Sequence, residues 1–170
     1  YSGDPRTRPI KDRTREAVFN LVGPRVAGAH AIDLFAGTGA LGLEALSRGA
    51  ARATFIEQHF PTADLIKQHI KQFDITAPCK VEPGNTFIWA KRKFDLGEQP
   101  WVVFCCPPYA FYVDRRAEML ELIGSLVERA TEGSVFVVEA DERFDFNELP
   151  RAEEWELRTY LPATVGFLYL

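Results

Sequence analysis

Apolar positions along the 170-residue chain fall into short runs separated by stretches of helical spacing. The first eleven residues, YSGDPRTRPIK, hold two prolines and a glycine and read as an extended arm. Asp12 stands where it can cap a helix reaching about Val22, with Ala17, Val18, Leu21 and Val22 on or near one face. Gly23-Pro24 ends it. Apolar runs at 31–35 (AIDLF), 53–56 (ATFI), 101–105 (WVVFC) and 134–138 (SVFVV) then read as buried strands, with a weaker one at 80–82. Helical spacing fills the intervals 40–47, 62–73 and 115–130. The chain closes with two strands, 156–160 and 164–170, joined through Leu161-Pro162-Ala163.

Strands alternating with helices predict an α/β fold: a doubly wound, mostly parallel sheet covered on both faces, with an antiparallel edge from the C-terminal strand pair. One domain is expected over residues 1–170, with the basic arm and first helix at 1–25 and the core at 26–170. A ligand in such a fold sits beyond the carboxyl ends of the strands.

Composition narrows the picture. With 46% hydrophobic and 26% charged residues, wholesale disorder is excluded. No apolar run approaches the ~20 residues of a membrane helix, so no membrane partner is expected. The polar opening residues carry no secretory pattern. Three cysteines, Cys79, Cys105 and Cys106, suit a reducing compartment, and a cytoplasmic monomer is the expectation. His30, His59 and His69 have no metal-ligand spacing. A net charge of −4 argues against a nucleic-acid partner only until its distribution is read. Residues 1–25 carry six basic side chains against three acidic, whereas 139–158 carry three against eight. A positive face for phosphates is therefore compatible with the total.

After the first strand comes Asp33-Leu34-Phe35-Ala36-Gly37-Thr38-Gly39-Ala40-Leu41-Gly42, a literal G-x-G-x-x-G, with Glu57 twenty positions past Gly37 at the end of the next strand. Glycines let the backbone approach a ligand closely, and the acid can take two ribose hydroxyls. Asp33, near the loop mouth, repels a pyrophosphate but suits an ammonium and a sulfonium, and a whole helix precedes the strand. Both favour S-adenosylmethionine over a dinucleotide. A nicotinamide-dependent oxidoreductase is the rival on the same glycines, and Asp33 as a cap of the loop remains open.

The strand at 101–105 runs into Cys106-Pro107-Pro108-Tyr109, where two prolines impose a rigid extended platform, with Tyr109 either free to stack on a flat ring or packed on a stiff loop. With Arg8-Pro9-x-x-Asp12-Arg13-x-Arg15-Glu16-Ala17-x-Phe19-Asn20 and Asp33 through Ala50, this segment makes the chain resemble the RsmD-type 16S ribosomal RNA (guanine-N2)-methyltransferases. The resemblance implies a Rossmann-like, S-adenosylmethionine-dependent methyltransferase fold. It assigns the cofactor to Asp33, Phe35, Ala36, Gly37, Thr38, Gly39, Ala40, Leu41, Glu57, Gln58, Asn85, Thr86 and Cys106. Catalysis falls to Cys106, Pro107, Pro108 and Tyr109, with Tyr109 stacking on the base and the Pro107 carbonyl orienting the amine. The implied partner is small-subunit ribosomal RNA or the assembling small subunit. Arg6, Arg8, Lys11, Arg13, Arg15, Arg115 and Arg116 are the candidate RNA contacts.

The family motif is Asp/Asn-Pro-Pro-Tyr/Phe, so Cys106 is a departure. A thiol is a weak acceptor, which raises the alternative of a cofactor- and RNA-binding relative with impaired catalysis. Cys106 as a covalent nucleophile is a further reading.

Overall fold

A computed structural model describes residues 10–92 and 95–170. The N-terminal helix α1 (Asp12–Val22) turns Val18, Phe19 and Val22 inward. Lys11, not Asp12, is its cap residue; Asp12 is the first helical residue, an acid in the first turn where the helix dipole favours it. The helix stops at Gly23, whose φ of 57° is open to glycine and whose N–H bonds back to the Phe19 carbonyl.

Seven strands follow: β1 (His30–Asp33), β2 (Arg52–Glu57), β3 (Cys79–Pro83), β4 (Trp101–Cys105), β5 (Val135–Ala140), β6 (Glu156–Tyr160) and β7 (Ala163–Tyr169). They form one sheet in the order β3-β2-β1-β4-β5-β7-β6. β1 to β5 pair in parallel, and β7 is antiparallel to both β5 and β6. The five-residue run of β4 is buried throughout, as a central strand with helices on both faces must be. β6 is the edge, and its charged Glu156 and Arg158 discourage further pairing.

Helices α2 (Ala40–Ser47) and α3 (Phe60–Gln72) join α1 on one face, where Phe19, Ala45 and Ile66 pack with Phe55, Phe104 and Val137. Helices α4 (Thr86–Ala90), α5 (Phe111–Asp114) and α6 (Arg116–Arg129) cover the other. α6 buries Met119, Leu122, Ile123, Leu126 and Val127, the stripe of an amphipathic helix. The strand order runs outward from β1 in both directions, through β2 to β3 on one side and from β4 onward on the other, so the crevice at the carboxyl ends of β1 and β4 is the switch point where ligands bind such sheets.

Several boundaries differ from the sequence expectation. β1 ends at Asp33; Leu34 N–H still bonds to the Phe104 carbonyl at 3.0 Å, and the chain then turns into the glycine loop. α3 starts at Phe60 because Pro61 is tolerated in a first turn. β7 begins at Ala163, so only Leu161 and Pro162 link it to β6. The short α4 and α5 carry too few residues to show a period in the sequence. Among the described residues no helix is long and apolar enough to cross a membrane, and no cluster of His, Cys, Asp or Glu could hold a metal.

Candidate functional site

A cleft of about 300 Å³ opens at the carboxyl ends of β1, β2 and β4. Its walls come from separate parts of the sequence. Gly37 comes from the glycine loop, Glu57 from the end of β2, Asn85 and Thr86 from the start of α4, and Cys106 and Pro108 from the loop after β4.

The glycine loop is folded by its own backbone demands. Gly37 and Gly39 have φ of 53° and 85°, and Gly39 N–H bonds to the Ala36 carbonyl at 2.8 Å. Gly42 is required for a different reason. A Cβ there would lie 2.3 Å from Cε1 of buried Phe55, so only glycine lets α2 pack this closely on β2. Glu57 then ties the loop to the strand end. Its Oε2 accepts from Gly37 N–H and its Oε1 from His59 N–H, each at 2.8 Å.

Asn85 caps α4, its Oδ1 accepting from the N–H groups of Phe87 at 2.9 Å and Ile88 at 3.1 Å. The buried Thr86 hydroxyl donates to the Leu34 carbonyl, joining this turn to the glycine loop. Phe35, Phe87 and Phe111 form an aromatic wall with ring centroids 5.9–6.2 Å apart. Arg115 lies over Phe87 at 4.2 Å and Phe111 at 5.5 Å, gripped by both oxygens of Glu118.

Of the thirteen positions assigned to the cofactor, Phe35, Gly37, Glu57, Gln58, Asn85, Thr86 and Cys106 line the cleft. Asp33, Ala36 and Leu41 are buried behind it. Asp33 is 2% exposed and its Oδ2 accepts from Gly42 N–H at 3.3 Å, which is the loop-capping alternative realised. Burial, offset in part by that hydrogen bond and reinforced by Glu57, pushes its carboxyl up to about 7. Thr38, Gly39 and Ala40 shape the loop and the start of α2 without lining the cleft. Ile56, His59 and Phe87 line it and were not assigned to it from sequence; Phe111, whose place on the Pro-Pro loop suits either a base drawn out of its stack or the core, lines it as well. The Gly84-Asn85 turn just before Phe87 was the available signal for that residue.

The Cys-Pro-Pro-Tyr segment also departs from expectation. The Tyr109 ring is 8% exposed, and its hydroxyl donates to the carboxyl of buried Glu139, so the ring is packed rather than presented; Phe111 and Pro108 face the cleft instead. Burial, then Glu139, Asp33 and Cys105, hold the Cys106 thiol well above its ordinary value. A protonated thiol is therefore the species present near neutrality, which removes the support for a nucleophilic Cys106. Burial likewise pushes Cys105 up to about 12; its Sγ lies 4.0 Å from the Tyr112 hydroxyl.

The basic candidates divide. Arg6 and Arg8 lie outside the described residues. Lys11 and Arg13 are exposed. Arg15 bridges Glu44 at 2.7 Å and Asp12 at 3.0 Å, and Arg116 pairs with Glu148. With Arg115 on Glu118, these three arginines contribute less free positive charge than the sequence suggests.

The strand order, the glycine loop closed by an acidic strand end and the Pro-Pro loop opposite define a Rossmann-like methyltransferase fold. Two solved structures share it. The yhhF protein of Escherichia coli matches with a TM-score of 0.78 and 28% identity, over 95% of this chain and 87% of that one. An RNA methyltransferase from Salinibacter ruber, in complex with S-adenosyl-L-homocysteine, matches in fold with a TM-score of 0.66 and 17% identity, over 95% and 92%. The family described as Conserved hypothetical protein 95 matches residues 2–163, and the chain belongs to it, the RsmD-type family that its motifs resemble. Ribosomal RNA small subunit methyltransferase D of Escherichia coli (strain K12) is 35% identical over 127 residues, 74% of this chain. The chain spans 62% of the length of that relative, and 50–57% of other relatives of the same name.

Proposed function

We propose that the chain is an S-adenosylmethionine-dependent methyltransferase acting on the exocyclic N2 amine of a guanine in small-subunit ribosomal RNA. The observation that carries this reading is Glu57. Its carboxyl fixes the glycine loop at Gly37 and stands in the same cleft as Cys106 and Pro108. The residues present fit the cofactor: an acid for a ribose diol, an aromatic wall for a flat ring, and backbone turned at Gly37 and Gly39 for close approach.

Glu57, Gln58 and Asn85 would hold the nucleoside end beside Phe35 and Phe87, and the glycine loop the amino-acid end. Bound there, the cofactor supplies an electrophilic methyl group on a sulfonium. The chain's own contribution is positioning. A guanine amine is a poor nucleophile because its lone pair is delocalised into the ring, so it must be held in line and its developing positive charge stabilised. Cys106 and the stiff Pro107-Pro108 turn border the place where the amine would lie, with Phe111 as the flat surface for the base. Exposed Lys11 and Arg13 supply phosphate contacts.

Calorimetry with S-adenosylmethionine and transfer of tritiated methyl to immature small subunits test the reading. Saturable binding with transfer supports it. Tight NADH binding with no affinity for S-adenosylmethionine refutes it and selects the oxidoreductase. A second reading, a relative that binds without catalysing, is favoured by the protonated Cys106 thiol, a weak acceptor. Binding without transfer, with transfer gained by Cys106→Asp, selects it.

A further inference from the structure

Glu139 has no place in the cleft lining, yet it is a carboxyl only 7% exposed at the end of an otherwise apolar strand. The strand register explains where it goes. Cys105 of β4 pairs with Val138 of β5. In parallel strands the next residues along, Cys106 and Glu139, are therefore neighbours on the opposite face of the sheet. Val137 and Phe104 lie on that face, against α1 and α2. Asp33, paired with Phe104, belongs to it too.

From this position Glu139 reaches both ends of the Cys-Pro-Pro-Tyr segment. It accepts the Tyr109 hydroxyl hydrogen across thirty residues of sequence, and the strand register sets it beside Cys106, whose thiol it pushes up. A buried carboxyl needs such partners, because leaving it unpaired costs several kcal/mol. Cys106 itself lines the cleft. The buried acid therefore stands next to the cleft-lining sulfur, beside the turn that the prolines stiffen.

We propose that Glu139 is the positioning residue of the methyl-transfer site: it takes the hydrogens of the Tyr109 hydroxyl and the Cys106 thiol, locking the turn and leaving sulfur lone pairs to accept from the target amine. The proposal rests on the methyltransferase reading above. A thiol is a poor acceptor on its own, but one that donates its hydrogen to a carboxylate carries more electron density on sulfur, because linked hydrogen bonds polarise one another. The charge developing on the amine is then met by Glu139 through Cys106, not by direct contact. The role is one of hydrogen bonding and charge stabilisation, and no proton changes owner in it. Among the described residues, the titratable groups that act on Cys106 are Glu139 from β5, Asp33 from β1, Cys105 from its own strand and Tyr112 from α5.

The test uses Glu139→Gln in the full chain with two readouts. The first needs no cofactor: the pH profile of Cys106 alkylation by iodoacetamide, followed by peptide mass spectrometry so that Cys79 is read separately. Removing the neighbouring negative charge is expected to move the profile to lower pH, making Cys106 react about three- to tenfold faster at pH 8. The second is methyl transfer to immature small subunits. Here kcat is expected to fall about tenfold or more, with S-adenosylmethionine affinity unchanged, and Cys106→Asp in the same background to recover it.

An unmoved alkylation profile, or an unchanged kcat, overturns the proposal. Loss of cofactor affinity in step with kcat also overturns it, since that is what a merely structural role produces. Should Glu139→Gln fail to fold, Tyr109→Phe removes only the hydroxyl, and unchanged kcat there overturns the proposal as well. A wild-type chain that transfers no methyl defeats the functional reading instead, and the alkylation profile still decides the pairing of Glu139 with Cys106.

Discussion

Asp33 gives the sharpest test of how burial controls this site. Its carboxyl is 2% exposed and has a single hydrogen-bond partner among those described, the Gly42 N–H at 3.3 Å. Burial raises it from an ordinary 3.8 to about 7. Because the folded value lies above the unfolded one, the native state holds a proton that the unfolded chain has released between those two values. The stabilising contribution is fully present below pH 3.8, falls as the pH climbs through the window, and is gone above about pH 7. At 1.36 kcal/mol for each pH unit, the interval comes to about 4 kcal/mol. Asp33→Asn removes the titration while keeping an oxygen for Gly42. Urea unfolding of both proteins from pH 4 to pH 8 reads the effect, since groups remote from Asp33 titrate alike and cancel in the difference. The two should be of similar stability near pH 4, and the variant should be more stable by about 4 kcal/mol at pH 8. Parallel profiles across the range would refute the claim that desolvation sets the proton affinity of Asp33.

Three further outcomes are expected. Gly42→Ala drives a methyl group to 2.3 Å from the buried Phe55 ring. The overpacking should exceed the helix-propensity gain by about 1–2 kcal/mol, lowering Tm by roughly 3–6 °C in calorimetry. Glu57→Gln keeps one acceptor for Gly37 and His59 where the wild type has two. It should weaken S-adenosylmethionine binding about tenfold or more in titration calorimetry, through the unsatisfied N–H and the missing ribose partner. Charge reversal at the exposed Lys11 and Arg13 should flatten the salt dependence of RNA binding by about one unit of log–log slope for each phosphate no longer neutralised; an unchanged slope sinks their assignment.

The sequence by itself determined the architecture. Apolar runs too short for buried helices, spaced by helical periods, required parallel strands with helices on both faces, and β4 and α2 fall at the expected limits. The glycine loop, Glu57 and the Pro-Pro turn were legible because each imposes a backbone or charge demand within a few residues. What depended on packing was not legible. α4 and α5 are single turns with no period, and the aromatic wall unites Phe35, Phe87 and Phe111 from three separate segments. Asp33 read either as a ligand contact or as a cap of the loop, and the structure buries it on the Gly42 N–H. Tyr109 read equally as a stacking ring or a packed one, and β5, by placing Glu139 at its hydroxyl, makes it packed. Local demands of turns and periodicity are written along the chain. Which side chains meet across strand ends is set by register and by the depth at which helices pack, and only the tertiary structure decides that.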